Sequence, residues 1–272
     1  MTMPPVTPID LSDDQIHRYA RHLILDPIGE DGQARLLAAR VLMIGAGGLG
    51  APVLQYLAAA GVGHLTIVDD DHVDLANLQR QVIHRTADVG RAKVESAADA
   101  VRALNPDVAI TTVAERFGPA NAARLVNAAD IIVDGSDNFA TRYLTNDAAW
   151  LARKPLVAAA LLRFEGQLFV MRPDTDPPSP CYRCAFPEPP PPGAIPRCEE
   201  AGILASLPGV LGTLQATEVL KIVLGLGASP AGAMLLYDGL RSDMRRMTYR
   251  RRAACALCGD RPTIRDLSAH DG

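Results

Sequence analysis

The sequence predicts an α/β protein: a Rossmann-like, doubly wound, mostly parallel sheet, extended by antiparallel strands and closed by a four-cysteine zinc clasp. Three observations carry that expectation. A glycine-rich stretch, Gly45-Ala46-Gly47-Gly48-Leu49-Gly50, separates an apolar run from a helix pattern. Short apolar runs then alternate with helix-like segments as far as Ala160, as parallel strands joined by right-handed crossovers do. Beyond Ala160 strand-like runs recur without crossover helices, and two CxxC pairs fall in this second half.

The elements follow in order. Ser12-Asp13-Asp14-Gln15 is a capping box, so a helix starts there and carries His17, Arg18, Arg21 and His22, with Arg18 and Arg21 on one face. Residues 41–44 read as a buried strand, and 49–60 as a helix whose first amides face a phosphate. A second strand, 65–68, ends at Asp69, where a ribose hydroxyl would need an acceptor. Residues 89–104 read as a helix stopped by Asn105-Pro106, and 108–113 as the third strand. A helix at 120–127, a strand at 131–134, a helix at 139–153 and a strand at 156–160 complete the parallel part. Strands at 167–171 and 234–237 and an apolar helix at 209–224, interrupted by Glu218 and Lys221, make up the remainder. Between the strands lies a proline run, 187–193, which cannot be helix; a flexible loop is its plain reading and a polyproline partner ligand its sharper one.

With 272 residues and no evident linker, residues 1–272 are expected to form one domain: a nucleotide-binding half, 1–160, and a second half, 161–272. A net charge of −4 with mixed signs argues against nucleic acid as a partner. The basic cluster Arg245, Arg246, Arg250, Arg251 and Arg252 alternates with Met244, Met247 and Tyr249, which reads as a solvated strand face ahead of an acidic-partner contact. The sequence shows neither an N-terminal signal core nor an apolar run of about 18 residues, so no membrane role is expected and the cytoplasm is the expected location.

The glycine loop alone fits a dinucleotide dehydrogenase, or simply a tight strand-to-helix turn. Arg80 and Lys93 complicate the first reading, because two extra cations suit phosphate charge that changes during reaction. In Asp134-Gly135-Ser136-Asp137-Asn138, Asp137 is placed to hold magnesium against ATP phosphates, or to cap the following helix. Asp69, Asp71, Asp134 and Asp137 crowd near strand ends, which favours a ligand role. Cys181 and Cys184, with Cys255 and Cys258, suit a closed tetrahedral zinc site; redox dithiols and unpaired buried cysteines are the alternatives. Cys198 reads either as a nucleophile or as an inert loop cysteine.

Taken together, the glycine loop, Asn77-Leu78-Gln79-Arg80-Gln81, Val89-Gly90 with Lys93, Ser136-Asp137-Asn138, the paired cysteines and Cys198-Glu199-Glu200-Ala201-Gly202 resemble the MoeB/ThiF/HesA family, relatives of ubiquitin-activating enzymes. The resemblance runs from about Arg18 to Cys258. It implies ATP-dependent adenylation of the C-terminal Gly-Gly carboxylate of a ubiquitin-like sulfur carrier protein. The carboxylate attacks the α-phosphate, pyrophosphate leaves, and an acyl-adenylate remains for sulfur transfer. By position it implies that Gly45, Gly47 and Gly48 lie against the nucleotide and Asp69 binds the ribose. It further implies nucleotide contacts from Ala76, Asn77, Leu78, Gln79 and Arg80, phosphate stabilisation by Lys93, and magnesium on Asp137 with Asn138 beside it. Arg21 matches an arginine lent to the neighbouring subunit, which implies a homodimer. Cys198 matches a loop cysteine that is covalent in some members and dispensable in others.

The sequence ends 14 residues after Cys258, so sulfur is expected from a separate sulfurtransferase or cysteine desulfurase. A carrier of the molybdopterin synthase small-subunit type is favoured over a thiamine-type carrier. An NAD-dependent oxidoreductase and a zinc-clasped scaffold that binds nucleotide are the rivals.

Overall fold

In the computed structural model, residues 10–191, 193–194 and 201–270 are described. Cys198 and Pro192 lie outside them. The chain builds one continuous eight-stranded sheet in the order β3-β2-β1-β4-β5-β6-β7-β8. Strands β1 (Arg40–Ile44), β2 (His64–Val68), β3 (Ala109–Val113), β4 (Ile131–Asp134) and β5 (Leu156–Leu162) are parallel. Strands β6 (Glu165–Met171), β7 (Ala233–Asp238) and β8 (Asp243–Thr248) continue the sheet antiparallel. Parallel strands need crossovers, and helices supply them; once those stop, hairpins follow and the direction alternates.

The parallel strands β1 and β4 are near-continuous apolar runs because helices cover both of their faces. On one face α3 (Gly50–Ala59), α4 (Lys93–Leu104) and α8 (Leu207–Leu224) bury Met43, Ile67, Leu54, Leu57 and Val219. On the other, α5 (Pro119–Ala128), α6 (Phe139–Leu151) and the short α7 (Tyr182–Ala185) bury Leu42, Ile44, Leu125, Leu144 and Phe169. Each such large apolar side chain contributes about 1.5–3 kcal/mol on burial. Helix α8 is long and apolar enough by composition to cross a membrane, yet most of it is buried against α3, β5 and β6.

The expected capping box opens α1 (Asp13–Leu23): Ser12 Oγ accepts from Gln15 N, and Gln15 Oε1 from Ser12 N. Two helix bounds differ from expectation for backbone reasons. The helix expected over 89–104 begins at Lys93, because Gly90 has φ +88° and a 3-10 turn occupies Thr86–Asp88. The helix expected to run to Arg153 ends at Leu151, and Arg153 itself is left-handed at φ +54°. Helix α2 (Gly29–Ala38) was not anticipated: it contains Gly29 and Gly32 and has no side-chain N-cap. Packing holds it, since a Cβ on Gly32 would press on Ile28 at 2.8 Å and Leu224 at 3.1 Å.

Candidate nucleotide site

Strands β1 and β4 are adjacent and parallel, and the helices that follow them lie on opposite faces, which opens a crevice at their carboxyl ends. Two backbone bonds hold its rims: Gly45 N donates to Val68 O at 2.9 Å, and Gly135 N to Ile44 O at 2.9 Å. Gly45 needs its φ of +90°, and a Cβ on it would crowd Gly135 O at 3.1 Å. The resulting cavity has a volume of about 830 Å³, ample for a nucleotide.

Gly45, Gly47 and Gly48 form one wall of the cavity, with Asp69, Arg80 and Lys93 beside them and Asp137 and Asn138 on the β4 side. Lys93 is only 5% exposed, and its Nζ meets Asp71 Oδ2 at 2.8 Å. Asp69 accepts two backbone amides, Ala46 N at 2.7 Å and Asp71 N at 2.8 Å, each oxygen keeping a lone pair for a further donor. Burial raises its carboxyl above the ordinary value, although Lys93 and the two amides oppose the shift. Among the described residues Arg80 donates only to Ala76 O, at 3.2 Å, so most of its guanidinium donors remain for a ligand.

The β4 end separates two roles that the sequence left joined on Asp137. Asn138 takes the cap, its Oδ1 accepting from Thr141 N at 2.9 Å. Asp137 is exposed on the cavity and has no hydrogen-bond or ion-pair partner among the described residues. Asp134, expected to share in a ligand role, is instead fully buried under the loop. It takes Ser136 N at 2.8 Å and lies 3.6 Å from Arg142 Nε, and burial raises its carboxyl despite that arginine.

Ala76, Asn77, Leu78 and Gln79 do not reach the cavity wall. They belong to the turn around Leu75–Asn77, capped by Asp74 Oδ1 on Ala76 N at 2.7 Å, which delivers Arg80. Arg21 is likewise elsewhere, in a smaller groove with Arg18, His22, Tyr56 and Leu220. Conversely, Arg142 and Arg116 line the cavity and were not singled out from the sequence, and Gln81, named there only within the family motif, lines it too. Arg142 had a legible signal: it sits one helical turn after the cap Asn138, so it faces back toward the loop.

From the glycine-loop end the cavity continues past Leu162, Glu165, Gln167 and Ile203 at the β5 and β6 end of the sheet. Tyr143, Tyr182 and Phe186 close its far side. Tyr143 and Tyr182 pack edge-on with ring centroids 5.2 Å apart, and burial pushes the Tyr143 hydroxyl up to about 12.

Behind that wall, Cys181, Cys184, Cys255 and Cys258 gather with all sulfurs within 4.8 Å of one another, buried and free of disulfides. Pairs stand 3.6 Å apart at Cys181 and Cys255 and 3.2 Å at Cys184 and Cys258. A tetrahedron of bonds of about 2.3 Å needs sulfurs roughly 3.8 Å apart, so the four thiols suit a single metal ion. Hydrogen bonding among the four sulfurs lowers the Cys184 and Cys255 thiols and raises those of Cys181 and Cys258.

The ThiF family profile matches residues 19–257. A sulfur carrier protein adenylyltransferase of Thermus thermophilus is 49% identical over 256 residues, covering 93% of this chain and 94% of that one. The Sus scrofa protein named adenylyltransferase and sulfurtransferase MOCS3 is 50% identical over 273 residues; the match covers 98% of this chain and 59% of that protein's length. A crystal structure of E. coli MccB shares the fold, with a TM-score of 0.79 at 21% identity, covering 93% of this chain and 75% of that chain.

Proposed function

The chain belongs to the ThiF family, and from that membership we propose that it is an ATP-dependent adenylyltransferase for the C-terminal Gly-Gly carboxylate of a ubiquitin-like sulfur carrier protein. One observation supports the reading above others: a glycine loop at the sheet's switch point shares one cavity with Arg80, Lys93 and Asp137. A dehydrogenase binds a pyrophosphate it never breaks and has little use for such cations, whereas attack on an α-phosphate builds negative charge that they stabilise.

The residues take the following parts. The amides of Gly47 and Gly48 face the phosphates, and Asp69 accepts from the ribose. Arg80 and Lys93 stabilise the pentavalent phosphate and the departing pyrophosphate; Lys93 is held ready by Asp71. Asn77 acts near the phosphates through the turn that carries Arg80. Magnesium suits Asp137, an exposed carboxylate without a protein partner, and when bound it neutralises phosphate charge. The carrier tail runs along the Leu162 to Gln167 arm of the cavity, so its own carboxylate is the nucleophile. No enzyme thiol is needed for adenylation, so that step gives Cys198 no part.

Zinc is the metal proposed for the four cysteines, where it ties the 255–258 knuckle to the 181–184 knuckle. Residues 1–272 act as one ThiF-type domain in a cytoplasmic homodimer, Arg21 reaching the neighbouring subunit's ATP. The carrier is of the molybdopterin synthase small-subunit type, and a sulfurtransferase or cysteine desulfurase supplies the sulfur.

The test is magnesium-dependent ATP–pyrophosphate exchange with a panel of Gly-Gly-ended carriers, of molybdopterin and thiamine types. Exchange with the first type is expected; exchange with none of them defeats the proposal. Thermal stabilisation by NAD without any by ATP points to the oxidoreductase instead.

A further inference from the structure

His84 lies beneath the glycine loop, 6% exposed, and takes no part in the chemistry assigned above. Its Nε2 is 2.9 Å from the carbonyl oxygen of Ala46, and its Nδ1 is 2.8 Å from Ser96 Oγ. A carbonyl oxygen offers only lone pairs, so Nε2 carries the proton and donates it. Ser96 Oγ also lies 3.0 Å from Asp88 Oδ2; the hydroxyl has one proton, which goes either to Nδ1 or to that carboxylate. Asp88 is itself tied to Arg85 N at 3.0 Å and Arg91 at 2.7 Å. A chain of side chains thus runs from the surface to one loop carbonyl.

That carbonyl matters because a peptide is planar and trans: its C=O and the N–H that follows point in opposite directions. With Ala46 C=O held toward His84, the N–H of Gly47 points away from His84, to the side where Gly47 lines the cavity. The preceding peptide is held as well, through Ala46 N on Asp69 Oδ2 at 2.7 Å. The following one is held through Gly47 O, which accepts from Ala51 N at 2.9 Å. The N–H groups of Gly47 and Gly48 have no acceptor among the described residues. Glycine is the residue whose backbone turns most freely, so such amides do not stay aimed unless something holds them.

We infer that His84 is a positioning residue for nucleotide binding: by holding the Ala46 carbonyl it aims the Gly47 amide at the nucleotide phosphates. The inference rests on the proposal that ATP occupies the glycine-loop end of the cavity. It assigns the polyphosphate, not the base or the ribose, as the part of the ligand that depends on His84.

The experiment compares ATP with adenosine, which lacks every phosphate, on the full chain by calorimetric titration and competition. His84→Phe keeps the ring volume but removes the donor, and should weaken ATP binding roughly tenfold, the scale of one lost hydrogen bond, while leaving adenosine affinity unchanged. In pyrophosphate exchange the same variant should raise KM for ATP by about that factor with kcat changed far less. His84→Gln retains an N–H able to reach the carbonyl and should recover most of the loss. Equal weakening of ATP and adenosine, or no change in ATP affinity at an unchanged melting temperature, overturns the inference. Should His84→Phe not fold, Ser96→Ala leaves the imidazole in place, and a loss confined to ATP of about threefold is expected; an unaltered affinity there overturns it equally. The two readings fail separately: a wild type that binds ATP in this His84-dependent way yet exchanges with no carrier removes the proposed function alone. A wild type that does not bind ATP removes both.

Discussion

Lys93 is a cation that the fold has nearly sealed in, and its one ion-pair partner among the described residues, Asp71, has a side chain 69% exposed to solvent. A pair so lopsided adds little to stability, because water already solvates the carboxylate. Lys93→Met keeps the aliphatic stem and removes the charge. It should leave the unfolding free energy within about 1 kcal/mol while lowering exchange activity by about a hundredfold or more. Denaturant titration beside the exchange assay checks both halves. His84 offers a pH test of the same neighbourhood. Burial lowers its pKa from the ordinary 6.5, with the Ala46 carbonyl, Lys93, Asp69 and Asp88 as its other electrostatic neighbours. Above 6.5 the imidazole is neutral in both folded and unfolded chains, and the neutral form's contribution is complete. As pH falls below 6.5 the unfolded chain takes up a proton that the fold resists, so stability declines until the folded pKa is passed. His84→Gln should flatten that part of the stability profile relative to wild type, measured as melting temperature between pH 7 and pH 5. At this scale the structure brings Gly48, Asp69, Arg80, Lys93 and Asp137, all named from the sequence, to the lining of one cavity. It missed His84, because a histidine on the far side of a loop has no spacing motif to betray it.

Among the elements, α6 and β4 are joined by a buried ion pair that holds the Asp137 loop from beneath. Arg142 donates to Ser136 O at 3.0 Å and to Ala159 O at 3.1 Å, and its Nε lies 3.6 Å from the fully buried Asp134. Removing only the arginine leaves an uncompensated buried carboxyl, so Arg142→Met should cost about 3–5 kcal/mol by chemical denaturation. Adding Asp134→Asn should return part of that cost, since the neutral amide no longer needs a counter-charge; no recovery would mean that the pair is not the reason. The element boundaries show where local signals ran out. Gly90 shifted the start of α4 to Lys93, which places that lysine at the helix N-terminus beside the cavity. The helix α2 was invisible because Gly29 and Gly32 weaken its propensity, and contact with Leu224 of α8, far along the chain, sustains it.

For the whole molecule, the sheet is continuous from β3 to β8, and the cysteine cluster, which takes Cys184 from α7, packs against Trp150 of α6. Arg183, inside the first knuckle, clamps Asp147 of α6 with bonds of 2.8 and 2.7 Å, and His270 reaches the same carboxylate at 2.8 Å. Metal bound at the cysteines would therefore brace α6, whose N-terminus carries the Asp137 loop. Stripping it with a strong chelator should lower the melting temperature by several degrees and weaken exchange activity, with zinc restoring both. Unchanged melting after verified metal loss would assign the cluster no structural role.

The amino-acid sequence by itself determined the strands, the glycine loop, the two CxxC pairs and the family resemblance, because each is written in short-range periodicity or spacing. Tertiary structure alone decided that Asn138 caps α6 and leaves Asp137 open to the cavity, and that Asp134 turns inward to Arg142. It also decided that the chain from Asp88 through Ser96 to His84 ends on the Ala46 carbonyl. Those outcomes depend on which side chains long-range packing shuts away from water, and the cost of burying a charge or a donor unpaired then dictates each partner.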